Sequence, residues 1–169
     1  YKRGTVLLEC EAIDAIDAMS LEERFKTALE LSAACAGYVS APGAVNLIGR
    51  ILSKAGEDRS MYEALLPVIK EDVAEHDFLP VQLKTGGCDS MADCVKLSES
   101  FFLRAADMGY AYSCNNLAAK EADRIVEMGT EEAGIDEAVQ RYIRYLKTAA
   151  DKYEPYAANR LGLFYMTGE

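Results

Sequence analysis

Five cysteines (Cys10, Cys35, Cys88, Cys94, Cys114) and one histidine, His76, are the side chains with which this chain could hold a metal or attack a substrate. Cys88 and Cys94 could share zinc with His76, but zinc sites use tighter cysteine spacing and a fourth ligand that the sequence does not supply. Cys88 follows Gly86-Gly87 and could serve as a reactive thiol, yet no second His is present to form a dyad with it. The plainer reading is of reduced thiols acting as small hydrophobes, since Cys10, Cys35 and Cys114 stand among apolar or small residues at helical spacing. Reduced thiols point to the cytoplasm. His76 falls in the charged run Glu71 to Asp77, which reads as an exposed helix end. There is no Gly-rich phosphate loop, nucleophile elbow or paired metal motif. These residues argue against an enzyme and imply no cofactor.

A different chemistry is concentrated in Gln140-Arg141-Tyr142-Ile143-Arg144-Tyr145-Leu146-Lys147, where cations and aromatics gather in a chain of net charge −10 and pI about 4.7. Helical spacing turns Tyr142, Tyr145 or Leu146, and Ala149 inward and leaves Arg141, Arg144 and Lys147 to solvent. With Lys96 and Arg104 on an equivalent upstream helix, they could meet acidic groups on a protein or peptide partner; a solvated helix face is the competing reading. The acidic balance argues against a nucleic-acid groove, which needs clustered Lys and Arg to displace counterions. No apolar run reaches about 18 residues, so no membrane span is expected. No signal peptide is visible at the start, and Tyr1 in place of Met leaves open a fragment or a processed form.

The elements that must carry these residues are helices. Val6, Cys10, Ile13 and Ile16 predict a first one, ending near Met19. Ser20 with Glu23 forms a capping box that starts a second, whose stripe of Phe25, Ala28, Leu29, Ser32 and Ala33 runs to Gly37. Pro42 opens a third, with Val45, Ile48 and Leu52 inward and Gly56 closing it. Ser60 and Glu63 repeat the capping spacing for a fourth, kinked at Pro67. Pro80, Gly86 and Gly87 break the pattern around Phe78 to Leu83, after which Asp89 or Ser90 caps a helix to about Met108. Helices over 111–128, 136–152 and 155–166 follow. Alternation of period two is almost absent, so the expected class is all-α.

Within this row a pattern recurs. Phe101-Phe102-Leu103-Arg104-Ala105-Ala106-Asp107 matches Tyr145-Leu146-Lys147-Thr148-Ala149-Ala150-Asp151, Ala149 lying 44 residues after Ala105 (149 − 105), and Asn115 and Leu117 meet Asn159 and Leu161 at the same offset. Such a period implies supersecondary units stacked on copies of themselves.

The residues resemble the Sel-one-like repeat, a relative of the tetratricopeptide repeat. That pattern is an aromatic pair, Ala-Ala and Gly, then Ala-x-x-x-Leu-Gly-x-x-Tyr-x-x-Gly in a second helix. The last copy supplies Tyr145, Leu146, Ala149, Ala150, Pro155, Ala157, Leu161, Gly162, Tyr165 and Gly168, with Tyr153 in place of the family's Gly. The copy before it keeps Phe101, Phe102, Ala105, Ala106, Gly109 and Leu117 but has Ala118 and Glu121 where the family has Gly and Tyr. The resemblance implies a single α-solenoid over 1–169, an α-α superhelix of antiparallel helix pairs. Its clearest repeats are 93–128 and 136–169, with a degenerate copy at 21–56 and a diverged pair at 57–88. It also implies a scaffold or adaptor for protein or peptide partners; the alternative is a regulatory or sensor region of a larger protein, for example a DNA-binding one. Paired Ala and a mid-helix Gly suit close backbone approach, so Gly162→Leu is expected to lower the melting temperature. Asn46, Asn115 and Asn159 share one register, either as an amide ladder gripping a peptide or as loop-bonding residues near helix starts. The pattern ends at Gly168-Glu169, where a further repeat would begin, so the last helix is expected to meet more of the array or a neighbour, possible homo-oligomer contact included.

Overall fold

The computed structural model describes residues 19–20, 23–25, 42–72, 88–129 and 133–167; apolar residues spaced by three and four make most of these helical, and no strand occurs among them. The helices are α1 (Pro42–Glu57), α2 (Arg59–Asp72), α3 (Met91–Asp107), α4 (Ala111–Met128), α5 (Ile135–Ala150) and α6 (Pro155–Thr167). The expected helix through Val6 to Ile16, the stripe from Ala28 to Gly37, the link from Phe78 to Leu83 and His76 lie outside the described residues. The chain divides into two compact units, residues 1–98 and 99–169, the boundary falling within α3.

In the first unit, α1 turns Val45, Ile48, Ile51, Leu52 and Ala55 into the core, and Leu65 and Ile69 of α2 are buried as well. Ser20 and Glu23 form the expected capping box: the Ser20 amide donates to Glu23 Oε2 at 2.9 Å and the Glu23 amide to Ser20 Oγ at 3.3 Å. These bonds from the backbone and hydroxyl of Ser20 hold the Glu23 carboxyl below its ordinary pKa.

Three local expectations change here. Gly56 does not end α1, which continues to Glu57; a Cβ on Gly56 would collide with Val95 Cγ2 and press on the Met91 carbonyl oxygen, so glycine serves the close approach of two helices. Asp58, not Ser60, caps α2, its Oδ1 accepting the amides of Ser60 at 2.8 Å and Met61 at 3.3 Å, while Glu63 pairs with Arg59 one turn along at 2.9 Å. Cys88 and Cys94, read from sequence as reduced thiols, are joined as a disulfide with their Cα atoms 5.5 Å apart. Ser90 lies between them and caps α3, its Oγ accepting the Asp93 amide at 3.2 Å and bonding Asp93 Oδ2 at 2.6 Å. The helix start folds the two sulfurs towards each other.

The second unit closes around Cys114 and Ala118 of α4, Leu146 and Ala149 of α5, and Ala157 of α6, with Ala106, Tyr142, Tyr145 and Leu161 packed at its margin. Small side chains dominate this core, as the paired alanines of the sequence predict. Two turns feed it. After α3, the Gly109 amide donates to the Ala106 carbonyl at 2.9 Å and the Tyr110 amide to the Ala105 carbonyl at 3.0 Å; after α5, Tyr153 donates to Ala150 at 2.9 Å and Glu154 to Ala149 at 3.1 Å. Gly109 and Tyr153 both have positive φ, 94° and 65°. The turns are neighbours: Lys152 Nζ lies 3.8 Å from where a Cβ on Gly109 would stand.

Candidate partner-binding face

The cations that sequence reasoning places on α5 divide into two groups according to what lies beneath them. Arg141 does not stand clear in solvent. Its guanidinium approaches Glu121 Oε2 on α4 at 3.1 Å and Glu137 Oε2 one turn back at 3.9 Å, leaving the side chain 37% exposed. Glu121 is almost fully buried and also receives Arg124 on Oε1 at 2.7 Å, and Arg124 reaches on to Glu99 of α3. Burial works against the charge on Arg124, but Glu99 and Glu121 outweigh it and the guanidinium pKa is raised. Glu121 Oε2 has a charge partner in Arg141 but no aligned hydrogen bond. The pair ties α5 to α4, so Arg141 has a part in holding these helices together.

Arg144 and Lys147 are exposed, as expected. The Arg144 guanidinium lies 5.5 Å from the Tyr145 ring centroid and Lys147 Nζ lies 5.7 Å from that of Tyr165, so each cation rests on an aromatic surface. Between them runs an open groove of about 350 Å³ lined by Gln140, Ile143, Arg144, Lys147, Thr148 and Asp151. These residues recur at three and four along one helix face. The face offers two cations, an amide and a hydroxyl around an aliphatic side chain, with one carboxylate, Asp151, at its end; its balance is cationic and suits carboxylates on an extended or helical ligand.

Comparison of the chain with protein-family models, curated proteins and solved structures returns no match.

The remaining expected contact residues do not converge. Arg104 is exposed on α3. The three asparagines occupy unlike surroundings: Asn46 is buried, Asn115 is half-buried with an Oδ1 that finds no donor, and Asn159 is exposed. Gly162, expected in a tight helix contact, is exposed, with nothing within 4 Å of where its Cβ would stand. The start of α6 is capped by Glu154, a buried carboxylate that accepts the amides of Tyr156 at 3.3 Å and Ala157 at 2.6 Å. Glu121 and Glu154 were missed as key residues because a glutamate reads as surface unless its partner is known. Cys114 is buried, and its thiol pKa is pushed up by that burial, Lys152 opposing and Asp107 reinforcing the shift. No helix among the described residues is long and apolar enough to cross a membrane.

Proposed function

We propose that this chain is a non-enzymatic α-helical repeat scaffold of the Sel-one-like kind, and that it receives an acidic protein or peptide segment along the outer face of α5. The observation that carries the repeat reading is the recurring turn: the same two backbone bonds, the same left-handed residue and the same buried alanine return 44 residues on, at Ala105 and Ala149. A scaffold of stacked hairpins works through its surface, because its core is filled by side chains that hold neighbouring helices together. Arg144 and Lys147 give α5 a cationic strip in a chain of net charge −10, so complementary charge selects an acidic ligand. Assignment to the cytoplasm rested on reduced cysteines, and the Cys88–Cys94 bond takes away part of that ground.

An unbiased peptide library panned against the chain, and again against an Arg144→Glu/Lys147→Glu variant, tests the reading. Acidic sequences should be enriched by the parent and lost with the variant. Equal enrichment by both proteins removes the α5 face from consideration.

A further inference from the structure

The α5 strip holds both signs of charge within reach of each other and leaves them unpaired. Arg144, Lys147 and Asp151 are all exposed along one face. Lys147 precedes Asp151 by four residues, the spacing at which a lysine and a carboxylate on one helix are neighbours. They do not meet. Lys147 Nζ lies over the Tyr165 ring at 5.7 Å and Arg144 over the Tyr145 ring at 5.5 Å, and no carboxylate among the described residues pairs with either cation. Asp151 likewise has no cation among the described residues, and its backbone, with φ −62° and ψ −21°, continues the helical path of α5. A carboxylate at the C-terminal end of a helix is opposed by the helix dipole, so this charge does not serve the stability of α5. The cations are also particular to this helix, since Ser100 and Leu103 stand at the matching positions 44 residues upstream.

We infer that Asp151 is a specificity-determining residue of the α5 strip: the peptide segment received there carries acidic side chains over Arg144 and Lys147 and a lysine or arginine over Asp151. The inference rests on the reading of α5 as the site for an acidic segment, and it fixes the order of charges along that segment. From Arg144 to Asp151 the helix rises about 10 Å, which is about three residues of an extended ligand or two turns of a helical one. Arg144 and Lys147 alone would accept an acidic run laid in either direction and at any offset. A carboxylate at one end of the strip removes that freedom, because an acidic run that reaches past Lys147 brings like charges together. The occupant is thus an acidic block closed by a base, not a polyacidic tail.

Two probes are labelled with fluorescein and titrated into the full chain by fluorescence anisotropy: the peptide most enriched when the random library is panned against the parent, and polyglutamate of the same length. Enriched sequences should carry a basic residue beside their acidic block. Asp151→Lys should weaken the selected peptide at least fivefold and strengthen polyglutamate, with Asp151→Asn between parent and Lys variant. Changing the peptide's basic residue to Glu should restore its binding to Asp151→Lys and lose its binding to the parent, an exchange that a merely structural role of Asp151 would not produce. Asp151 is exposed and serves the turn through its backbone amide, so circular dichroism of both variants should match the parent. Acidic peptides enriched without a base, or equal affinities for parent and both Asp151 variants, overturn the inference and leave the proposed function standing. Enrichment of no acidic sequence, or enrichment that survives Arg144→Glu/Lys147→Glu, overturns both.

Discussion

Gly109 and Tyr153 occupy the same position in the same turn, yet only one of them is glycine. Both are left-handed, and Tyr153 projects into solvent with 94% of its surface exposed. A non-glycine residue in this conformation costs roughly 1–2 kcal/mol, whereas glycine's extra freedom in the unfolded chain costs about 0.4–1 kcal/mol. Tyr153→Gly should therefore stabilise the chain by about 0.5–1 kcal/mol, read as a higher urea midpoint with an unchanged slope. A lower midpoint would mean that the exposed ring contributes more than the turn geometry indicates.

Gly56 and Gly162 should respond in opposite directions to the same change. Gly56→Ala drives a methyl group into Val95 and the backbone of α3, and overpacking of that kind costs about 1–3 kcal/mol. Gly162→Ala meets nothing and gains up to about 1 kcal/mol of helix propensity. Thermal melts of the two variants should move apart, the first falling and the second rising.

Removing the carboxylate of Glu121 leaves Arg124 and Arg141 facing each other across a space it no longer neutralises. Breaking a fully buried pair costs roughly 3–5 kcal/mol, but both guanidiniums are more than a third exposed and water screens them. Glu121→Ala should destabilise by about 1–3 kcal/mol, and the loss should shrink when Arg141→Leu is added. A double-mutant cycle by urea unfolding checks this, and strictly additive losses would deny the coupling.

The Cys114 thiol has a raised pKa in the folded chain, so the unfolded chain ionises first as alkali is added. Its contribution to stability is whole below the unfolded thiol pKa, about 8.5, and declines as pH rises through the folded value. The drop in urea midpoint between pH 8 and pH 10 should be smaller in Cys114→Ala than in the parent. In a mass-spectrometric map at neutral pH, Cys114 should take up iodoacetamide only after denaturation, and the peptide holding both Cys88 and Cys94 should stay unalkylated until it is reduced.

Helix positions were legible because their ends carry local chemistry. Pro42, Ser90, Ala111 and Pro155 mark starts within a residue of those observed, and three-and-four spacing selects Val45, Ile48, Leu52, Leu146 and Ala149 as buried. What stayed hidden depends on which residue meets which across space. Asp58 and Ser60 are both good caps, and only the backbone path decides between them. Gly56 and Gly162 look alike in sequence, but one faces Val95 and the other faces water. Arg141 reads as a free cation because Glu121, its partner, is twenty residues away on another helix. Cys88 and Cys94 are too far apart for a compact metal motif, yet the first turn of α3 brings them within bonding reach.

Asp58 stands alone between α1 and α2, its amide bonded back to Lys54 and its carbonyl forward to the Tyr62 amide. A joint of one residue fixes the angular phase of the second helix to the first. One added residue would advance α2 by about 100°, swinging Leu65 and Ile69 out of the interior. The two helices therefore tolerate exchange of side chains at this joint far better than any change in its length, and insertions in relatives of this chain should avoid it.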